Sequence, residues 1–154
     1  MIAIRPFADS DAPALAAMLR EMAAGYGASI AADTQVEADL PGHARTVDIL
    51  LACEAETLVG FATFASLFPV GGVVAFTYIQ QIYVGSGARR RGIAQRLMAA
   101  VARAARDRGC RRLEWSTSVD NTVARALYDG IGAVGSAKVH YVLAGEALDR
   151  LAEA

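Results

Sequence analysis

The chain has 154 residues, 55% of them hydrophobic and 20% charged, with a formal net charge of -1. That length fits one domain with a sizeable core, and the near-neutral charge argues against a disordered tail or a generally basic nucleic-acid binder. No apolar run approaches the roughly 18 residues of a membrane span, and Met1-Ile-Ala-Ile-Arg-Pro lacks the order of a secretory signal.

In chain order, Met1 to Phe7 alternates apolar residues and reads as a short first strand. Asp9, Ser10 and Asp11 offer N-caps, with Pro13 in the first turn of a helix carrying Leu15, Met18, Leu19 and Met22. Gly25 and Gly27 end it. Asp33-Thr34 caps a second helix with Val36 and Leu40, which Pro41-Gly42 should stop. Asp48 to Glu54 and Leu58 to Phe68 read as an antiparallel hairpin, and Phe76 to Val84 as a further strand after a Pro69-Val-Gly-Gly connection. The period then changes: Ile93, Leu97, Met98 and Val101 lie on one helical face, ended by Gly109. Leu113 to Thr117 is expected as a strand, Asn121 to Asp129 as a short helix and Val139 to Leu143 as a last strand. The order β-α-α-β-β-β-α-β-α-β describes a mixed α/β sheet in a single domain over residues 1–154. The two cysteines, Cys53 and Cys110, lack CxxC spacing and read as buried thiols of a reducing, cytoplasmic compartment; no metal site is expected.

The stretch Tyr78-Ile-Gln-Gln-Ile-Tyr-Val-Gly-Ser-Gly-Ala-Arg-Arg-Arg-Gly-Ile-Ala94 carries the chemistry. A strand runs into a glycine-containing turn, then into a helix start. Amides at a helix N-terminus lack intrahelical partners and sit at the positive end of its dipole, so an anion binds there. Gly92 admits a close approach to the main chain, Ala94 is nearly as small, and Arg89, Arg90, Arg91 and Arg96 add charge. The pattern lacks GxGxxG and the Gly-Lys-Ser/Thr ending of the P-loop. It describes a pyrophosphate cradle, or else a helix start with a solvated arginine face.

Arg-Arg-Arg-Gly-Ile-Ala resembles the Arg/Gln-x-x-Gly-x-Gly/Ala signature of the GCN5-related N-acetyltransferases, with Arg89, Gly92 and Ala94 at the fixed positions. Asn121, Ala124, Tyr128 and Gly132 match that family's Asn-x-x-Ala-x-x-x-Tyr-x-x-x-Gly segment. Arg-Gly-Cys-Arg-Arg-Leu-Glu-Trp-Ser and the C-terminal Tyr141 to Ala152 are similar to its diamine and thialysine acetyltransferase branch. The resemblance implies acetyl-CoA as cosubstrate and no metal. It implies that main chain from Arg89 through Arg90, Arg91, Gly92 and Ile93 to Ala94 holds the pyrophosphate, that Ile82, Tyr83 and Val84 line the pantetheine arm, and that their strand splays from its neighbour. Asn121 would contact the same arm. Tyr128 would face the sulfur and protonate the departing thiolate; a phenol of pKa about 10 is protonated at neutral pH.

That branch usually carries Glu-Asp where this chain has Gln80-Gln81. A glutamine hydrogen-bonds but cannot take a proton. With Lys138 near the place of a missing tryptophan, the reading is an N-acetyltransferase for the primary amine of a small molecule other than spermidine or spermine. The acceptor pocket is expected around Tyr26, Gln80, Gln81 and the 33–45 segment, with Glu37, Asp39 and His43 as stand-ins for the lost base. Alternatives are an acetyltransferase of peptide or protein N-termini, and a catalytically silent acyl-CoA-binding module. No nucleic acid or membrane is expected as partner. The family implies a homodimer through the late strands, here Val139 to Leu148.

Overall fold

The computed structural model describes residues 1–27, 33–70 and 74–154, which fall into two compact units, Met1–Ser116 and Thr117–Ala154. The first carries one five-stranded sheet in chain order: β1 (Ile2–Pro6), β2 (Asp48–Glu54), β3 (Thr57–Val70), β4 (Val74–Val84) and β5 (Leu113–Glu114). Neighbours are antiparallel except β4 and β5, which are parallel. Glu54 and Thr57 are register partners, so the β2–β3 turn is Ala55-Glu56, and Ala55 adopts the positive φ of 51° that so tight a hairpin turn demands. The expected Pro69-Val-Gly-Gly connection falls partly outside the described residues.

Period-two alternation sorts the strands onto two faces. Leu51, Phe61 and Tyr83 pack with Leu15, Ala16 and Met18 of α1 (Ala12–Gly25) and Leu40 of α2 (Asp33–His43). α3 (Ile93–Asp107) buries Ile93, Leu97, Met98, Val101 and Ala105, a stripe at helical spacing. It lies on the opposite face, over Gly60: a Cβ there would stand 3.5 Å from Ile93 Cγ2 and only 2.8 Å from the Tyr83 carbonyl oxygen.

Two helix boundaries differ from the sequence expectation. Asp11 does not cap α1 with its side chain. It turns back, accepting from Ala8 N–H at 2.8 Å and clasping the Arg5 guanidinium, while Asp9–Asp11 forms a short 3₁₀ turn. α2 does not stop at Pro41-Gly42 but runs to His43; the proline costs one intrahelical donor, and Ala44 N–H still reaches the Leu40 carbonyl at 2.9 Å.

β4 positions the site. Thr63 pairs with Gln81 and Phe64 with Ile79, leaving Gln80 as an extra, exposed residue in a bulge. The bulge reverses the alternation, so Gln81 and Tyr83 face α1 while Ile82 and Val84 take the α3 side. On its other edge β4 pairs with β5 only through Thr77–Leu113 and Tyr78–Glu114. The strand expected over Leu113 to Thr117 is therefore shorter. From Ile79 to Val84 this edge of β4 has no ladder partner among the described residues of the unit.

The second unit holds α4 (Thr122–Gly130) and α5 (Glu146–Ala152). Asn121 caps α4, its Oδ1 accepting from Ala124 N–H at 3.2 Å. Gly132 takes a φ of 83° past its end, and Ala133 N–H closes on the Tyr128 carbonyl at 3.0 Å. The strand expected over Val139 to Leu143 does not form. Alternation supplies a face, but a strand persists only against a ladder partner, and this unit offers none among its described residues; Tyr141 is left 87% exposed.

Candidate active site

Beyond β4, Gly85 N–H is tied to the Val59 carbonyl at 3.1 Å, and Ser86–Ala88 makes a short 3₁₀ turn. Arg90 and Gly92 both take positive φ, 63° and 72°. α3 then starts, and Arg96 N–H donates to the Gly92 carbonyl at 3.1 Å. The amides of Ile93, Ala94 and Gln95 precede that first bond and have no intrahelical acceptor. A Cβ built on Gly92 meets nothing within 4 Å. The mouth of a 15-residue helix is thus open to an anion approaching the main chain.

The arginine run does not act as one block. Arg89 folds back along the end of β4: Nε donates to the Val84 carbonyl at 3.2 Å, an NH2 group reaches Tyr83 Oη at 3.4 Å, and the guanidinium lies 5.6 Å from the Tyr83 ring centre. Arg91 pairs with Glu54 at 3.0 and 2.5 Å, which holds that carboxyl below its ordinary range. Arg96 donates to the Ile2 carbonyl at 2.8 Å. Among the described residues the exposed Arg90 has no side-chain partner, so its charge is free to meet a ligand.

Glu21 of α1 closes the same region and escaped the sequence reading. Its Oε1 accepts from Ser86 N–H at 2.7 Å and from Tyr83 Oη at 3.1 Å. The Ser86 amide, chiefly, keeps its carboxyl below the ordinary range, while burial and then the Glu21 contact push the Tyr83 phenol up. The available signal was a carboxylate at the edge of the apolar stripe of Met18 and Met22.

Gln81 Nε2 reaches the Met22 sulfur at 2.9 Å, bringing β4 against the end of α1, where Tyr26 follows one turn later and is 66% exposed. Gln80 is exposed in its bulge. The first unit thus brings together Gln81, Tyr83, Arg89 and Glu21, with Ile82 and Val84 on the opposite side of the strand. Asn121 and the half-buried Tyr128 belong to the second unit and share α4. His43 and His140 are exposed, and Gln35 Nε2 holds Asp39 at 2.8 Å. At the far end of α3, Arg108 pairs with Asp48 and Arg112 with Glu114. No helix among the described residues is long and apolar enough to cross a membrane.

A model of the Acetyltransferase (GNAT) family matches residues 15–133. An aminoglycoside N(6')-acetyltransferase type 1 of Salmonella typhimurium is 34% identical over 55 residues, 36% of this chain and 38% of that protein, so the match spans well under half of the curated relative. An integron cassette protein from the mobile metagenome of V. cholerae superposes with a TM-score of 0.86 at 26% identity, over 99% of this chain and 98% of that one. An aminoglycoside N-acetyltransferase solved with CoA shares the fold, with a TM-score of 0.79 at 20% identity over 94% and 95% of the two chains. The chain belongs to the acetyltransferase (GNAT) family.

Proposed function

We propose that this protein moves the acetyl group of acetyl-CoA directly onto a primary amine of a small molecule. The observation that carries this is the turn from Gly85 to Gly92: a bulged strand with an open edge delivers the chain into a wide-mouthed helix N-terminus. The residues fit a diphosphate. Main-chain donors from Arg89 to Ala94 and the side chain of Arg90 would hold it, without a Cβ at Gly92 in the way. The open edge at Ile82, Tyr83 and Val84 has the extended donors and acceptors that a pantetheine arm needs, and Asn121 would contact that arm as well. Bound acetyl-CoA supplies the activated acyl carbonyl.

Transfer then asks three things of this chain. Charge building on the carbonyl oxygen needs a fixed donor, and the Val84 N–H or its neighbour serves. The departing thiolate needs a proton, which Tyr128 supplies as general acid. The amine must arrive neutral. An alkyl amine of pKa about 10 is neutral in roughly one molecule per thousand at pH 7, a handicap of about 4 kcal/mol. Gln80 and Gln81 do not take up a proton, so an acceptor of lower pKa is favoured, held near Tyr26, Gln80 and Gln81. The aminoglycoside N(6')-acetyltransferase relatives support a small, amine-bearing acceptor. The stretch from Val139 to Leu148, with Val139, Tyr141, Val142, Leu143 and Leu148 exposed, supports a homodimer, and two buried, unbridged cysteines support a reducing cytoplasm.

The test is thiol release from acetyl-CoA across a panel of aminoglycosides, peptide N-termini and polyamines. Aminoglycosides should be turned over and spermidine should not. Tyr128→Phe should lower kcat by about 10²–10⁴-fold with CoA binding retained. No release with any amine would leave a silent acyl-CoA-binding module, and an unchanged kcat would remove Tyr128 from the reaction.

A further inference from the structure

Resting on the reading of the turn as the diphosphate site, we infer that Glu21 is its positioning residue. The case begins with a carboxylate where a polyanion is to bind. A bare negative charge there would repel the ligand, yet both of the donors that Glu21 holds belong to the segment leading into the site. One is Ser86 N–H, at 2.7 Å; the other is Tyr83 Oη, at 3.1 Å. Tyr83 in turn accepts from Arg89, which also grips the Val84 carbonyl. A single oxygen of α1 thereby ties the last turn of β4 to the first turn of the loop.

The electrostatics follow. Arg89 stands close enough to lower the Glu21 carboxyl and to act on Tyr83, so the carboxylate is countered from within the protein. The open amides at Ile93 to Gln95 and Arg90, unpaired among the described residues, are left for the ligand. Glu21 touches neither the ligand nor the reacting atoms. It sets the shape of the turn before binding, which spares the ligand the ordering of a loose loop.

If Glu21 acts by accepting hydrogen bonds, its carbonyl counterpart in glutamine still accepts, whereas alanine does not. Calorimetry with coenzyme A on the wild type, Glu21→Ala and Glu21→Gln reads this directly. Glu21→Ala should bind about tenfold more weakly, with Glu21→Gln within about threefold of the wild type. Both substitutions keep a good helix former on an exposed position, so both should fold. In turnover, the acetyl-CoA KM should rise in Glu21→Ala with kcat unchanged. Ultraviolet titration of the phenols should show the Tyr83 ionisation moving down in Glu21→Ala, identified by its loss in Tyr83→Phe. Wild-type affinity in Glu21→Ala, or a Glu21→Gln variant as weak as Glu21→Ala, would overturn the inference while leaving the site reading intact. A wild type with no affinity for coenzyme A would overturn both.

Discussion

Arg5 and Asp11 meet through both carboxylate oxygens at 2.6 Å, tying the end of β1 to the start of α1. The Arg5 contact is the main reason the Asp11 carboxyl lies below its ordinary range. A lowered carboxyl means that the folded chain binds fewer protons than the unfolded one. Its stabilisation is fully present above the unfolded pKa of about 3.9 and disappears as pH falls through the lower folded value. The pair is partly exposed, with Arg5 at 46% and Asp11 at 14%, so solvent screens it. Asp11→Asn should cost about 1 kcal/mol at neutral pH, and the gap should narrow below about pH 4, as read by urea unfolding at several pH values. Thr77 presents the opposite case. It is wholly buried, and among the described residues its hydroxyl has no hydrogen-bond partner. Thr77→Val keeps the shape and removes the unpaired oxygen, so it should raise stability by about 1 kcal/mol; a loss of stability in the same urea assay would show that the hydroxyl is satisfied in solution.

At the scale of elements, the hairpin, the strand expected over Phe76 to Val84 and the helix carrying Ile93, Leu97, Met98 and Val101 were legible because their signals are local: alternation, a stripe at helical spacing, a glycine where the period changes. What lay beyond reading depends on partners distant in sequence. The bulge at Gln80 appears only when β3 is laid beside β4, and the missing strand at Val139 to Leu143 fails for want of a ladder. Pro41 was a fair local stop signal that the Leu40 to Ala44 bond overrode. Gly60 shows how closely two elements set each other. With the Tyr83 carbonyl 2.8 Å from where its Cβ would be, Gly60→Ala must push β4 from β3 just where β4 enters the turn. It should cost about 1–3 kcal/mol and weaken coenzyme A binding; an unchanged urea midpoint would show that the strand pair yields freely.

Over the whole molecule, the turn at Arg89 to Ala94 was legible as a strand-to-helix junction among arginines, which by itself left both a pyrophosphate cradle and a solvated arginine face open. The fate of each arginine was not. Glu54, Ile2 and Glu21 lie 37, 94 and 65 residues from their partners in the region, and no spacing rule reaches so far. The sequence therefore offered three equivalent cations at Arg89, Arg90 and Arg91, where the fold engages the first and third and, among the described residues, gives the second no side-chain partner. The claim that this turn receives the diphosphate of coenzyme A is most directly tested by titrating the purified chain with coenzyme A in a calorimeter. One saturable site per chain, weakened by Arg90→Ala, is the result expected; no measurable binding at millimolar ligand would contradict it.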